Sequence, residues 1–241
     1  MIVRKIASAL VSLLLVATLL PAMAMAAVTA NTSSTVEGVA GSVYSDVYTG
    51  VYAPASFEDL TSHWAKADIE LLASHGIISG VSATEFQPDR SITRAEFAAL
   101  VVRALDIPSV TSSAYFTDVT NSAWYASTVS SAVYTGIVNG YEDNTFRPSA
   151  QMTREELAAI VVRALDYVQV AASVPASAQA SLLSPYSDAD QIVWAHQEMA
   201  AALNAKLLNG ISADKLGPAN PATRAEAAVI LTRFLKLADR L

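Results

Sequence analysis

Ile92-Thr93-Arg94-Ala95-Glu96-Phe97-Ala98-Ala99-Leu100-Val101 decides the fold, because the chain writes it three times. It returns as Met152-Thr153-Arg154-Glu155-Glu156-Leu157-Ala158-Ala159-Ile160-Val161 and as Ala222-Thr223-Arg224-Ala225-Glu226-Ala227-Ala228-Val229-Ile230-Leu231. Thr and Glu three residues apart, ahead of an apolar run, form a capping box: the hydroxyl accepts from the third helical amide while the glutamate reaches back to the cap amide. Each copy therefore starts a helix. Working upstream, Gly80, Gly140 and Gly210 each lie 16 residues before the glutamate, and Trp64, Trp124 and Trp194 lie 16 before those glycines. Pro88, Pro148 and Pro218 fall 8 residues after the same glycines, and an aromatic-x-Asp (Phe57 with Asp59, Phe116 with Asp118, Tyr186 with Asp188) opens each unit. Spacing held this closely marks repeated supersecondary units.

Within each unit the apolar period is helical. The first helix is expected to present Trp64, Ile69, Leu72 and Ala73 on one face, matched by Trp124, Val129, Ala132 and Val133, then by Trp194, Met199, Ala202 and Leu203. Gly76 and Gly136 read as left-handed caps. Lys206 stands there in the third unit, which predicts a helix end of different construction. After a loop holding Phe86 and Pro88, Phe146 and Pro148, or Leu216 and Pro218, the second helix buries Phe97, Leu100, Val101, Ala104 and Leu105 and their counterparts. The expected fold is all-α, three helix-loop-helix repeats over 56–107, 115–168 and 185–238. Residues 169–184, rich in Ala and Ser with Pro175, read as a flexible linker and account for a repeat period of 60 the first time and 70 the second.

Residues 1–26 carry Arg4 and Lys5, an apolar run from Ile6 to Leu20 and the small-residue tail Ala24-Met25-Ala26, the pattern of a secretory signal peptide. Retention as a membrane anchor is the alternative, since the apolar stretch is long enough to span a bilayer. Residues 27–55 read as a linker, extended or loosely docked. The chain has no cysteine, so an exported domain would depend on its core rather than on disulfides. The chain's net charge is −7; without Arg4 and Lys5, 13 basic residues face 22 acidic ones, a net of −9, and no basic stripe suits nucleic acid.

Capping explains the threonine and the glutamate but not the arginine between them. Arg94, Arg154 and Arg224 sit at the first helical position, where the dipole disfavours a cation. Arginine beside free helix N-terminal amides suits a carboxylate or phosphate. Arg103, Arg163 and Arg233 also recur, late in the second helix where cations suit the dipole, and read as structural.

With Asp59, Trp64, Gly76-Ile77-Ile78-x-Gly80, Phe86-x-Pro88 and Ile92-Thr93-Arg94-Ala95-Glu96 in place, the units resemble the S-layer homology (SLH) domain. The second unit keeps the motif, and the third departs from it at Lys206 and Leu216. The resemblance spans residues 56 to about 238. It implies a pseudo-threefold bundle whose inter-repeat grooves bind a pyruvylated secondary cell-wall polysaccharide without covalent attachment. The module would then be secreted and held at the bacterial cell wall or S-layer, with other envelope proteins as further partners and no membrane contact after signal cleavage.

On that reading Arg94, Arg154 and Arg224 hold the ketal carboxylate. Trp64, Trp124 and Trp194 wall the sugar ring or pack in the core; Asp59, Asp118 and Asp188 accept sugar hydroxyls or cap a helix. Gly80, Gly140 and Gly210 complete the expected glycan site. Enzymatic readings find no support: His63, His75 and His196 occupy non-equivalent positions without metal-ligand spacing, no nucleophile elbow or phosphate loop occurs, and Glu155 and Glu156 point apart on a helix. No cofactor is expected. The rival reading is a self-assembly or protein-interaction module of the envelope.

Overall fold

The structure, a computed structural model, describes residues 56–110 and 116–241. The leader 1–26 and the linker 27–55 lie outside the described residues. Among the described residues seven α-helices follow in order: α1 (Lys66–Ser74), α2 (Arg94–Ala104), α3 (Ala126–Tyr134), α4 (Arg154–Tyr167), α5 (Ala176–Leu183), α6 (His196–Asn204) and α7 (Arg224–Leu237). There is no strand among the described residues, only isolated bridges, so the all-α reading holds.

All three capping boxes form. The hydroxyls of Thr93, Thr153 and Thr223 accept from the amides of Glu96, Glu156 and Glu226, whose carboxylates accept from the threonine amides at 2.8–2.9 Å. A threonine at such a cap is worth about 1 kcal/mol. The buried face of α2, α4 and α7 is the one the periodicity predicts, with Phe97, Leu157 and Phe234 fully buried.

The repeats interlock rather than stack. The second helix of each packs on the first helix of the next: α2 on α3, α4 on α6, and α7 back on α1. Just ahead of those helices the backbone closes a cycle. Ile92 donates to the Ala222 carbonyl at 3.0 Å, Ala222 to Met152 at 2.8 Å, and Met152 to Ile92 at 3.0 Å. Removing any one repeat from this ring would leave backbone groups of the other two without their partners.

Three sequence expectations change here. The tryptophans are neither helical nor core: each precedes its helix, and Trp64, Trp124 and Trp194 are 64%, 46% and 50% exposed. The third helix end is not built differently. Lys206 takes φ 57°, the same left-handed conformation as Gly76 and Gly136, and accepts the strain that glycine avoids. Residues 169–184, read as a flexible linker, contain α5, which packs on α6, and Ala172, Val174 and Leu183 are buried.

Candidate functional site

Each arginine of the repeated motif is at the first position of its helix, as expected, yet it is buried: Arg94, Arg154 and Arg224 are only 5–6% exposed. The amides beside them are not free. Arg94 N donates to Ala150 O and Ala95 N to Pro148 O; Arg154 and Glu155 do the same to Asn220 and Pro218, and Arg224 and Ala225 to Arg90 and Pro88. The expectation of an exposed arginine among open amides is thus corrected, because the neighbouring repeat's loop already occupies the helix terminus.

The guanidinium reaches into that same neighbouring repeat. Arg94 donates through Nε to Phe146 O at 2.9 Å, through Nη1 to Glu156 Oε1 at 2.9 Å and through Nη2 to Asn139 O at 3.1 Å. Arg154 makes the matching set to Leu216 O, Glu226 Oε1 and Asn209 O. Arg224 turns to the first repeat, at Phe86 O (2.9 Å) and Ser79 O (3.0 Å).

Above each guanidinium opens a groove built from all three repeats. The largest, about 630 Å³, is lined by Arg94, the loop Asn139-Gly140-Tyr141, Glu156, Ile160 and Arg163, with Trp194 opposite. The second, about 240 Å³, combines Arg154, Asn209-Gly210-Ile211, Glu226, Ile230 and Arg233 with Trp64. In the third, only about 20 Å³, Arg224, Ser79, Glu96, Leu100 and Arg103 face Trp124. One repeat supplies the arginine floor, the next supplies the loop and second helix, and the remaining one supplies the tryptophan.

The expected site residues divide accordingly. Arginines and tryptophans come together, one of each per groove, with Gly140 and Gly210 in two of the linings. The glycines are required by close approach on their other side, since a Cβ on Gly80, Gly140 or Gly210 would meet Phe57 at 2.4 Å, Phe116 at 2.0 Å or Tyr186 at 2.8 Å. The aspartates line none of these grooves. Asp59 accepts the amides of Phe86 and Gln87, Asp118 those of Phe146 and Arg147, and Asp188 those of Leu216 and Gly217, at 2.6–3.1 Å. Each aspartate thereby holds a loop whose second residue has φ between 57° and 61°.

Missed from sequence were Arg103, Arg163 and Arg233 as groove residues. With Glu96 and Leu100, Glu156 and Ile160, or Glu226 and Ile230 they sit at i, i+4 and i+7, one helical stripe. That spacing was the available signal. Arg103 and Arg233 donate to Ile77 O and Leu207 O at 3.0 and 3.2 Å, whereas Arg163 lies over the Trp194 ring at 5.6 Å and 4.0 Å from Glu198. Tyr141 and Arg147 were also missed. Their loop follows Gly140, and the Arg147 guanidinium stacks 3.9 Å from the Tyr141 centroid.

The electrostatics follow from these contacts. Burial pushes the Glu96 carboxyl up, but the Arg90 hydrogen bond, the Thr93 amide and the charges of Arg90 and Arg224 outweigh it and hold it below the usual range. Burial and the hydrogen bond to Glu156 raise the Tyr141 hydroxyl above its ordinary value, despite Arg94 and Arg147 nearby. Among the described residues no cluster of three His, Asp or Glu side chains is arranged to hold a metal ion. No described helix is long and apolar enough to cross a membrane.

Compared with known proteins, the profile described as "S-layer homology domain" matches residues 56–98, 115–158 and 185–228. An amylopullulanase of Thermoanaerobacterium thermosulfurigenes is 36% identical over 182 residues, 75% of this chain but 10% of that protein. An S-layer protein of Bacillus thuringiensis subsp. finitimus is 25% identical over 85% of this chain and 25% of its own length. A cellulosome-anchoring protein of Acetivibrio thermocellus is 31% identical over 48% of this chain and 27% of its own length. The chain spans about a quarter or less of most of these relatives, so what is shared is a module.

Proposed function

This chain belongs to the S-layer homology domain family, and from that premise we propose that it is a non-catalytic module that anchors to the bacterial cell wall by binding an anionic, pyruvylated secondary polysaccharide in its inter-repeat grooves. The observation that carries the reading is the recurrence of one arrangement three times: an arginine floor, the next repeat's loop, a second arginine two helical turns after that repeat's capping glutamate, and an exposed tryptophan from the remaining repeat. A half-exposed indole offers an apolar face to a sugar ring while its edge stays in water. Three of the five Arg94 N–H donors are taken inside the protein, and the guanidinium still lines the groove, so it can meet a carboxylate with what remains. An amylopullulanase, an S-layer protein and a cellulosome-anchoring protein each match this chain over only a minor part of their own length, which suits a common attachment function.

The test is a pull-down on purified cell-wall sacculi before and after mild acid removal of pyruvate ketals. Retention that falls after ketal removal supports the reading. Equal retention on both preparations overturns the anionic-sugar mechanism, and no retention on either overturns wall anchoring in favour of an envelope assembly role.

A further inference from the structure

Glu155 has no counterpart in the other repeats, where Ala95 and Ala225 hold the same place in the capping motif. Its side chain is almost excluded from solvent, the residue being 4% exposed. A buried carboxylate is costly unless donors meet its charge. Here Oε1 accepts three successive backbone amides, Val193 at 3.0 Å, Trp194 at 2.8 Å and Ala195 at 2.8 Å. Helix α6 begins at His196 with Ala195 as its cap residue, which has no side-chain acceptor to offer. The cap is supplied from α4 of the preceding repeat.

The three amides include that of Trp194 and those on either side. Holding them fixes the peptide planes flanking the Trp194 Cα, and with them the direction in which the indole leaves the backbone. That indole lines the largest groove, its ring centroid 5.6 Å from the Arg163 guanidinium. At the equivalent turn of the first repeat the support is local: His63 Nδ1 accepts the Ala65 amide at 3.2 Å from two residues away. We propose that Glu155 is the positioning residue of the Arg94 groove: it sets the backbone from which Trp194 projects and so preorganises the apolar wall where the ligand's sugar ring lies. The proposal rests on the groove's assigned role in binding, but the positioning itself can be measured without ligand.

Trp194 becomes the sole indole in a Trp64→Phe, Trp124→Phe background of the full chain, and Glu155→Ala and Glu155→Gln are compared in it by steady-state anisotropy, acrylamide quenching and retention on sacculi. Glu155→Ala is expected to lower the anisotropy, raise the quenching constant and weaken retention roughly tenfold, the scale of losing one well-placed aromatic contact. Glu155→Gln keeps a carbonyl acceptor in place and should restore most of each signal. If the alanine variant fails to fold, Glu155→Asp, whose carboxylate falls one methylene short of the three amides, carries the comparison: lowered anisotropy and raised quenching support the role and wild-type values overturn it. Wild-type anisotropy and quenching in folded Glu155→Ala would overturn the positioning role. Loosened Trp194 with wild-type retention, in a chain whose binding Trp194→Ala abolishes, would overturn the functional half. Failure of the unsubstituted chain to bind sacculi sinks the anchoring reading instead, and the fluorescence still decides the positioning.

Discussion

Arg94 and Glu156, in different repeats, form one ion pair at 2.9 Å, and the same glutamate caps its own helix by accepting the Thr153 amide through its other oxygen. The pair is largely buried, with side chains 6% and 13% exposed. One carboxylate therefore couples helix initiation in the second repeat to the docking of the first.

The first prediction concerns that coupling. Arg94→Ala leaves the carbonyls of Phe146 and Asn139 without this donor and takes the cation away from the Glu156 carboxylate, and breaking a buried pair from one side costs about 3 kcal/mol or more. Lysine should recover only part, because a single ammonium cannot serve three acceptors in the guanidinium plane. Urea unfolding measures this. A loss under about 0.5 kcal/mol, the scale of a surface substitution, would contradict the buried geometry.

Lys206→Gly should stabilise the chain. The left-handed φ of 57° strains a residue with a Cβ, and relief of that strain outweighs the added unfolded-state entropy by roughly 0.5–1 kcal/mol. A rise in Tm of a few degrees is the expected readout; destabilisation would mean that the lysine side chain contributes more than its backbone costs.

Truncation at Asp166 removes Ala222 from the carbonyl-amide ring and strips α1 of its partner α7. The remaining two repeats should lose cooperative unfolding, read by circular dichroism on heating. A truncated chain melting at the full-length midpoint would show that the repeats are independent.

Acid should unfold the protein through its held carboxyls. Burial raises the Asp188 pKa, but the Leu216 and Gly217 amides more than offset it and leave it lowered, as Glu96 is. A carboxyl depressed in the folded state contributes stability that is complete above its unfolded value, near pH 4, and lost as pH falls through the folded value. Stability should therefore decline below about pH 4. Asp188→Asn should flatten that decline, while Asp188→Ala leaves two amides unmet and costs about 1–3 kcal/mol at neutral pH. An acid limb with the same slope in Asp188→Asn would remove this group from the account.

Much of the architecture is legible in the sequence. Capping boxes are local, and Thr93 with Glu96 makes its bonds within one helical turn, so spacing alone identified them. The apolar stripes of α2, α4 and α7 were equally legible, since periodicity reports which face is buried. The grooves were less so. Sequence order pairs Arg224 with the loop of its own repeat and with Lys206 and Leu216, whereas the structure gives that loop to Arg154 and sends Arg224 to Phe86 and Ser79. Sequence shows only that Glu155 and Glu156 point apart on a helix, and the partners of Glu155 lie 38–40 residues away.

The sequence by itself determined the repeat count, the starts and buried faces of the second helices, and the family, because each depends on residues a turn or two apart. Only the tertiary structure decided that the repeats exchange their contacts around a ring, so that the arginine, loop and tryptophan of one groove come from three different repeats. The physical reason is that each second helix ends its apolar stripe against the next repeat's first helix, and the ring closes only when the third returns to the first. Burial of the arginines follows from that closure, because each helix terminus is covered by the neighbouring repeat's loop, and the three grooves it leaves measure about 630, 240 and 20 Å³.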